Sequence, residues 1–284
     1  MSNILVLSVK RIIVICQFLW KIVLCLIFAK SVSAERIPLT VLADIDYYPY
    51  SFVEQGKVTG VYTKIINRIL QDMHRYQVTI QAVPWKRGLK MLAQGKAFAM
   101  YPPYKKRVSR PFIDPYSKPL MKEVVSVFCR EDILAVKRPR WPQDYYGLTI
   151  GLNVGFIMGG AQFHKAVQEG AITIKEYPNN QSNLIQMLIA HETDCYMNDR
   201  QAILWTMQYL KKKRPIKQID LLVEGTAVSV EYGHLGYTNQ NLEKYPFKQH
   251  FVNQFDQILG ELELSGELQT IISQYWEEGL IEQQ

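Results

Sequence analysis

Apolar residues recur at helical spacing in several stretches of the chain, and short apolar runs separate these stretches. Val61, Ile65 and Ile69 share one face of a predicted helix, since residues three and four positions apart lie on the same side of a helix. The first part of the pattern predicts strands at 39–43 and 78–83 and helices at 61–74 and 85–95. Alternating strands and helices are typical of layered α/β folds.

A similar alternation begins again after Pro139. Strands are predicted at 148–152, 172–176 and 195–197, and helices near 161–168, at 182–190 and around 203–210. The tail at 246–276 has a helical pattern. Two α/β units in tandem predict two lobes, and the 250 residues after position 34 are enough for both.

Residues 1–34 have the order of a secretory signal peptide. Lys10 and Arg11 precede an apolar run, and a small-residue cleavage site ends at Ala34. We therefore expect cleavage near Ala34 and a periplasmic mature protein. An uncleaved membrane anchor remains open, because the side chain of Lys21 can snorkel out of a combined apolar run.

The basic character of the chain comes mostly from this segment. Its four basic residues and lack of acids mean that removal lowers the net charge from +7 to +3. A charge so near zero gives little reason to expect nucleic acid or an acidic membrane as a partner. The basic run 211–214 is interpreted as a solvated helix end that complements the helix dipole.

The mature chain keeps two cysteines, Cys129 and Cys195, each in an apolar run that is typical of a strand. Buried cysteines in separate strands favour two unpaired, small hydrophobic side chains. A disulfide between them remains the alternative, because an oxidising compartment would permit it.

No motif in the sequence demands catalysis or a cofactor. The five histidines lack metal-ligand spacing, and the chain has neither a Gly-x-Ser-x-Gly elbow nor a glycine-rich phosphate loop. We therefore predict a binding protein that is not an enzyme and that uses no metal and no cofactor.

Several segments carry a resemblance to a known family. They are Tyr48 to Phe52 with the glycine turn at 56–60, Trp85 to Gly95, Arg107 to Tyr116, Asp194 to Asp199, and Leu264 to Trp276. In this order and at these separations the chain resembles the family 3 solute-binding proteins, which are extracytoplasmic receptors of amino-acid uptake systems.

This resemblance implies an α/β, two-lobed type II periplasmic binding-protein fold (Venus flytrap). Each lobe would be a mostly parallel sheet flanked by helices, with two hinge strands near 123–128 and 230–237. The implied division is a signal peptide at 1–34, the first part of lobe 1 at 35–124, lobe 2 at 125–232, and the C-terminal part of lobe 1 at 233–284.

The resemblance also implies ligand-binding residues. Arg107 stands where the family binds the ligand carboxylate, although it could also be a solvated arginine among basic neighbours. Asp199 stands where the family receives the ligand ammonium group, although an aspartate there also suits a helix N-cap. Trp85 and Tyr47 occupy aromatic positions that sandwich the ligand, with core packing as the alternative, and Asp44 falls on a binding position or a turn.

The chain departs from the family at three positions that usually carry a small hydroxyl residue. Pro102 and Tyr104 replace two of these residues, and Phe156, next to Gly155, replaces the third. A hydrogen bond to a charged group contributes roughly 1.5–3 kcal/mol, so these losses weaken recognition of an α-carboxylate. With Tyr101, Pro102, Gly155 and Phe156 in the expected binding set, we predict a ligand that is larger, more aromatic or less zwitterionic than a common amino acid.

The resulting hypothesis is a monomeric periplasmic solute-binding protein that delivers an amino acid or a related carboxylate or amine to an ABC permease in the inner membrane. Two alternatives remain open at this stage. One is an enzyme of the same fold, such as a dehydratase acting on a carboxylated ring. The other is a ligand-sensing receptor subunit without a role in transport.

Overall fold

The computed structural model describes residues 35–213 and 217–281. The predicted signal peptide at 1–34 lies outside the described residues. Among the described helices, none combines the length and apolar character needed to cross a membrane.

The described residues form thirteen strands, which supply two five-stranded sheets and one three-stranded sheet. The strands are β1 (Ile37–Asp44), β2 (Asp46–Tyr47), β3 (Ser51–Glu54), β4 (Lys57–Thr59), β5 (Tyr76–Val83), β6 (Ala99–Tyr101), β7 (Ile113–Tyr116), β8 (Met121–Arg130), β9 (Thr149–Asn153), β10 (Thr173–Tyr177), β11 (Cys195–Asp199), β12 (Leu222–Gly233) and β13 (Gly236–Thr238).

Helices connect and cover these strands. They are α1 (Val61–Gln71), α2 (Trp85–Ala93), α3 (Glu131–Leu134), α4 (Gly160–Gln168), α5 (Asn180–Leu188), α6 (Arg200–Lys213), α7 (Lys248–Ser265) and α8 (Glu267–Ile281). Short 3₁₀ turns lie at Gln143–Tyr145, Lys217–Leu221 and Leu242–Lys244.

The first sheet has the strand order β5-β1-β6-β13-β7. Strands β1 and β6 are parallel, whereas β13 runs antiparallel to both β6 and β7. Because β13 comes from the far end of the sequence, the C-terminal part of the chain completes the sheet that the N-terminal part begins.

The second sheet has the order β10-β9-β11-β8-β12. Strand β9 is parallel to β10 and β11, and β8 is antiparallel to β11 and β12. The chain enters this sheet through β8 and leaves it through β12. These two strands lie side by side, with Met121 opposite Gly233 at the crossing end.

The central strands of the second sheet are buried on both faces. Val125, Val127 and Cys129 of β8 pack in one hydrophobic cluster, while Phe128, which points to the opposite face, packs in another. The first cluster includes Phe163 of α4, and the second contains residues of α5 and α6. All five residues of β11 are buried by this packing, and the last of them is the candidate site residue Asp199.

Two glycines fix where helices begin and end. Gly60 has φ 107° and precedes α1, and a Cβ there would lie 2.3 Å from the carbonyl oxygen of Tyr50. Gly266 has φ 80° and separates α7 from α8. The tail predicted as one helical stretch is therefore two helices.

The two mature-chain cysteines form a disulfide. The interpretation of Cys129 and Cys195 as unpaired was wrong, because the sequence does not show that they are directly opposite each other in the antiparallel pair β8 and β11. The bond joins neighbouring strands within the core of the second sheet.

The second predicted hinge strand also differs from the expectation. The run at 230–237 is divided, since β12 ends at Gly233 and β13 starts at Gly236 in the other sheet. The break places His234 and Leu235 between the sheets, where Leu235 donates its backbone N–H to Ser117 Oγ at 3.0 Å.

Candidate functional site

A small cavity lies where the ends of β1 and β6 in the first sheet face the loop that follows β9 in the second. Its volume is about 20 Å³, enough for one water-sized molecule. It is lined by Asp44, Tyr47, Trp85, Pro102, Tyr104, Arg110, Phe156, Ile157 and Met158. We refer to this place as the cleft. A larger ligand requires the two sides of the cleft to move apart.

The carbonyl oxygen of Gly155 joins the two sides of the cleft. It accepts hydrogen bonds from Trp85 Nε1 at 3.3 Å and from Arg110 Nη2 at 3.1 Å. Gly155 has φ 80°, a backbone conformation that favours glycine. Two hydrogen-bond donors on the side of the first sheet, which we call the first side, therefore bind one acceptor on the side of the second sheet, which we call the second side.

Aromatic rings form the walls of the cleft. The ring of Phe156 meets those of Tyr47 and Trp85 edge to face, at centroid distances of 5.6 and 5.8 Å. Edge-to-face packing of rings contributes roughly 0.5–1.5 kcal/mol beyond buried area. The predicted aromatic positions are thus brought together, and Phe156 takes up space that a small hydroxyl residue would leave open.

The arginine in the cleft is Arg110. Its residue is 4% exposed, its guanidinium lies 5.2 Å from the centroid of the Trp85 ring, and its Nε has no hydrogen-bond partner. Burial lowers the pKa of this guanidinium to about 10. The cleft therefore contains a buried cation that forms no ion pair with a carboxylate of the described residues.

The predicted arginine, Arg107, lies outside this group. Its side chain is 60% exposed and its Nη2 is 3.5 Å from Asp114 Oδ1. The structure thus brings Arg110 to the cleft and leaves Arg107 at the surface. A sequence signal for this choice exists, because Arg110 stands directly before Pro111 and Phe112, whereas Arg107 follows two lysines.

Asp44 lines the cleft at the carboxyl end of β1. Its Oδ1 accepts the backbone N–H of Asp46 at 3.3 Å. Burial raises the pKa of the Asp44 carboxyl to about 7, an effect that the nearby Asp46 charge increases. A carboxyl with this pKa exchanges a proton near neutral pH.

Pro102 lines the cleft, but Tyr101 does not. The hydroxyl of Tyr101 lies 2.9 Å from Thr63 Oγ1, on the side of the first sheet that α1 covers. Tyr101 is therefore a core residue, because successive side chains of a strand point to opposite faces of the sheet.

Asp199 is 1% exposed and lies beyond the cleft lining. Its Oδ1 accepts the backbone N–H of Ala202 at 2.9 Å, which is an N-cap bond at the start of α6. The same oxygen accepts the hydroxyl of Tyr50 at 2.6 Å, and Oδ2 accepts the backbone N–H of Val124 at 3.1 Å. The N-cap is thus present, together with a bond from the end of β11 to Tyr50, in the turn between β2 and β3.

Sequence reasoning missed a third buried carboxyl, Glu123, near the start of β8. Its residue is 1% exposed, and it accepts hydroxyl bonds from Tyr47 at 2.5 Å, Tyr104 at 2.6 Å and Tyr62. A glutamate inside the apolar strand run 120–129 was the signal that could have found it. Through Tyr47 and Tyr104, this carboxyl positions two cleft residues.

A larger cavity of about 840 Å³ lies on the hinge strands, next to α8. Its lining is Tyr50, Pro119, Leu120, Met121, Lys122, Glu123, Val124, Asp199, Arg200, Gln201, Tyr232, Glu263, Leu268, Gln269, Ile272 and Trp276. We refer to it as the hinge cavity. It shares none of its lining residues with the cleft.

Two further contacts connect the same two sides. Asn179 Nδ2 donates to Asp46 Oδ2 at 2.7 Å, and the rings of Tyr48 and Trp205 stack at 4.6 Å. The described chain therefore has its two sides in contact at the cleft and beside it. In the described residues, no group of three or more histidine, cysteine or acidic side chains could hold a metal ion.

Solved structures with the same fold cover most of the chain. A histidine kinase sensor domain similar to periplasmic binding proteins matches with a TM-score of 0.65 and 17% identity over 84% of this chain and 96% of that one. The arginine-, lysine-, histidine-binding protein ArtJ of Geobacillus stearothermophilus matches with a TM-score of 0.62 and 15% identity over 86% and 96% of the two chains.

A third solved structure is an ancestral amino-acid-binding protein described as a precursor of cyclohexadienyl dehydratase, with a TM-score of 0.61 and 18% identity over 84% of this chain and 94% of that one. At these identities the likenesses establish the fold, and they confirm the predicted two-lobed α/β class. No curated protein sequence matches the chain significantly. The family model of bacterial extracellular solute-binding proteins, family 3, matches residues 39–278, so the chain belongs to that family.

Proposed function

We propose that this protein captures a small solute with an anionic group, an amino acid or a related compound, between its two lobes and delivers it to an ABC-type permease. The proposed lobes are 35–124 with 233–284, and 125–232. The single observation that carries the proposal is Arg110, a buried cation in the cleft whose Nε has no partner.

Burying a charge without a partner is costly, and such costs are typical of functional sites. Arg110 still has a free hydrogen-bond donor, because its Nε–H has no partner. The Nε–H and Nη groups form a planar fork that fits a carboxylate. The neighbouring Trp85 ring holds the guanidinium in place. We therefore assign the ligand anion to Arg110 and not to Arg107.

The remaining cleft residues define the rest of the proposed ligand. Tyr47, Trp85 and Phe156 offer aromatic surface, and Asp44 offers a carboxyl for an ammonium or hydroxyl group. Pro102 and Tyr104 stand in place of small hydroxyl residues and so offer less to an α-carboxylate. These features support a ligand with an apolar or aromatic body and a single strong anionic contact.

Ligand binding drives closure in this account. A ligand that touches Arg110 on one side and the Gly155 loop on the other is fully bound only when the lobes are closed, so it shifts the population towards the closed form. The Gly155 carbonyl accepts hydrogen bonds from Trp85 and Arg110. These contacts between the two sides of the cleft support closure at this place.

A thermal-shift screen on the mature chain 35–284 tests the binding function. The probes are single amino acids, opines, polyamines and aromatic acids. A ligand at about 100 times its Kd stabilises the folded state by roughly 2.7 kcal/mol, which gives a clear rise in Tm. Anionic or zwitterionic probes should raise Tm; a rise restricted to purely cationic probes such as polyamines contradicts the role of Arg110.

A dehydratase-like activity is the second candidate, and Asp44 favours it. A carboxyl in the cleft with a pKa of about 7 can donate a proton to a leaving hydroxyl group. Mass analysis of any ligand after long incubation distinguishes the two, because a receptor leaves the ligand unchanged. Loss of cellular uptake of that ligand on gene deletion supports transport; unchanged uptake supports a sensing role.

A further inference from the structure

Two buried carboxyls meet at the point where the chain crosses between the sheets. Glu123 lies near the start of β8, and Asp199 lies at the end of β11. Both line the hinge cavity and neither lines the cleft, although Glu123 accepts hydrogen bonds from the cleft residues Tyr47 and Tyr104. The backbone N–H of Val124, the residue after Glu123, donates to Asp199 Oδ2 at 3.1 Å, so the two side chains are neighbours.

Hydroxyl groups surround both carboxyls, and among residues 35–213 and 217–281 no lysine or arginine forms an ion pair with either of them. Tyr47, Tyr62 and Tyr104 donate to Glu123, and Tyr50 donates to Asp199. In the described part of the chain, the ion pairs of lysine and arginine involve other acids, such as Lys106 with Glu231 at 2.8 Å. Neutral hydroxyl donors satisfy the hydrogen bonds of a carboxylate but leave its charge uncompensated.

The groups that face this pair come from several elements. Glu123 is surrounded by Tyr47 of β2, Tyr62 of α1, Tyr104 after β6 and Asp199 of β11, and Glu231 lies opposite it on β12. The Asp199 carboxyl is faced by Tyr50 and by the backbone N–H groups of Val124 and Ala202. The hinge cavity adds Lys122, Arg200, Tyr232 and Glu263. Arg200 is held by Glu224, with its Nε 2.8 Å from Oε2. No histidine belongs to this set of described residues.

The hydrogen bonds of Glu123 and those of Asp199 respond differently when the lobes open or close. The three tyrosines of Glu123 come from segments of the first side, so their bonds persist when the lobes separate. The bond from Tyr50 to Asp199 crosses between the two sides and must break. Asp199 stays beside Glu123 in both arrangements, because β11 remains paired with β8, and closure adds Tyr50 and its surroundings over the Asp199 carboxyl.

We propose that Glu123 and Asp199 form a proton-linked latch at the hinge, in which uptake of a proton by the pair favours the closed arrangement of the lobes. The inference rests on the proposed opening and closing of the lobes, but it concerns the ligand-free protein.

The direction of the pH dependence follows from the burial of the pair. Burial, and then the charge of Asp199, raises the pKa of Glu123 to about 8; burial raises the pKa of Asp199 to about 6. The pair titrates together, and its pKa values are higher in the closed state than in an open state that exposes Asp199 to water. Closure is thus favoured at acidic pH and is lost as the pH rises through about 6 to 8.

The test measures lobe separation in the ligand-free mature chain. A donor and an acceptor dye, one on each lobe, report the distance at pH 5.5 and pH 8.5, with small-angle X-ray scattering as a second readout. The closed-to-open ratio should be roughly tenfold higher at pH 5.5, as expected for a shift of one pKa unit between the states. Glu123→Gln should respond less to pH than the wild type, because glutamine resembles the protonated acid and leaves Asp199 alone to titrate.

Glu169→Gln is the matched control, since Glu169 is exposed and pairs with Lys165 on α4; it should behave as the wild type does. Carbon-13 carboxyl shifts of glutamate-labelled wild type give a direct readout that needs no variant. A Glu123 pKa near 4.5, an unchanged lobe distance across this pH range, or a full pH response in Glu123→Gln overturns the proposal. If ligand closes the lobes while pH does not, only the latch fails; if neither closes them, the proposed capture function fails as well.

Discussion

A buried arginine kept for a ligand should make the ligand-free protein less stable than it could be. Arg110→Met tests this, because methionine fills an irregular apolar space without bringing a charge into it. The same change at Arg107 is the matched control, since that side chain is 60% exposed and pairs with Asp114 at 3.5 Å.

The magnitude follows from the burial of Arg110. Burial lowers its pKa to about 10, and each pKa unit of this lowering corresponds to about 1.4 kcal/mol, so burial costs the charged form about 3 kcal/mol. The hydrogen bond to the Gly155 carbonyl and the contact with the Trp85 ring offset roughly 1–2 kcal/mol of this cost. Removing the charge should therefore raise the free energy of unfolding by roughly 1–2 kcal/mol.

Scanning calorimetry of the ligand-free chain measures the effect. A gain of this size raises Tm by roughly 2–8 °C for a protein of this length, whereas Arg107→Met should change Tm little, because exposed ion pairs contribute only about 0–1 kcal/mol. A large fall in Tm for Arg110→Met would refute the reasoning. It would show that Arg110 stabilises the ligand-free cleft as a structural residue, and that burying its charge does not destabilise the protein.

Two further predictions concern stability. Replacing Cys129 and Cys195 together by alanine should lower the free energy of unfolding by about 4 kcal/mol in a denaturant titration, because the bond closes a loop of 66 residues; a loss below about 1 kcal/mol would contradict the entropic estimate. Asp44→Asn should flatten the pH dependence of stability. Since burial raises the pKa of Asp44 from 3.8 to about 7, its stabilising contribution is complete below about pH 4 and is lost as the pH rises through 7. Between pH 5 and pH 8 the wild type should lose roughly 2–3 kcal/mol more than the variant, and parallel pH profiles would contradict this.

The local elements could be predicted from the sequence because their causes are local. The apolar face of α1 and the start of α2 at Trp85 follow from spacing alone, and the structure places these helices at 61–71 and 85–93. The break between α7 and α8 was harder to predict from the sequence. Gly266 interrupts the apolar pattern there, but the pattern has the same helical period on both sides of it.

Contacts between distant strands could not be predicted in the same way. The pairing of β8 with β11 decides that Cys129 and Cys195 meet, and the pairing of β8 with β12 decides how the chain crosses between sheets. Neither follows from periodicity, because the register of two strands depends on the whole sheet.

The candidate site illustrates the same division. Trp85, Phe156 and Asp44 reach the cleft from positions that the family pattern marks, at or near strand ends. The choice between Arg107 and Arg110 depends on the path of the irregular segment between β6 and β7, which no spacing rule fixes. Glu123 was missed because a strand position gives no hint of three tyrosine hydroxyls converging on it from separate segments.

We propose that Arg110 holds a solute in the cleft through the anionic group of that solute. Isothermal titration of the best ligand from the thermal-shift screen against wild type, Arg110→Gln and Arg107→Gln tests it most directly. Removing one partner of a buried charge pair costs roughly 2–5 kcal/mol, so Arg110→Gln should weaken binding about 30-fold or more, while Arg107→Gln should bind within about threefold of the wild type. Equal affinity of wild type and Arg110→Gln, or a large loss confined to Arg107→Gln, would contradict the account.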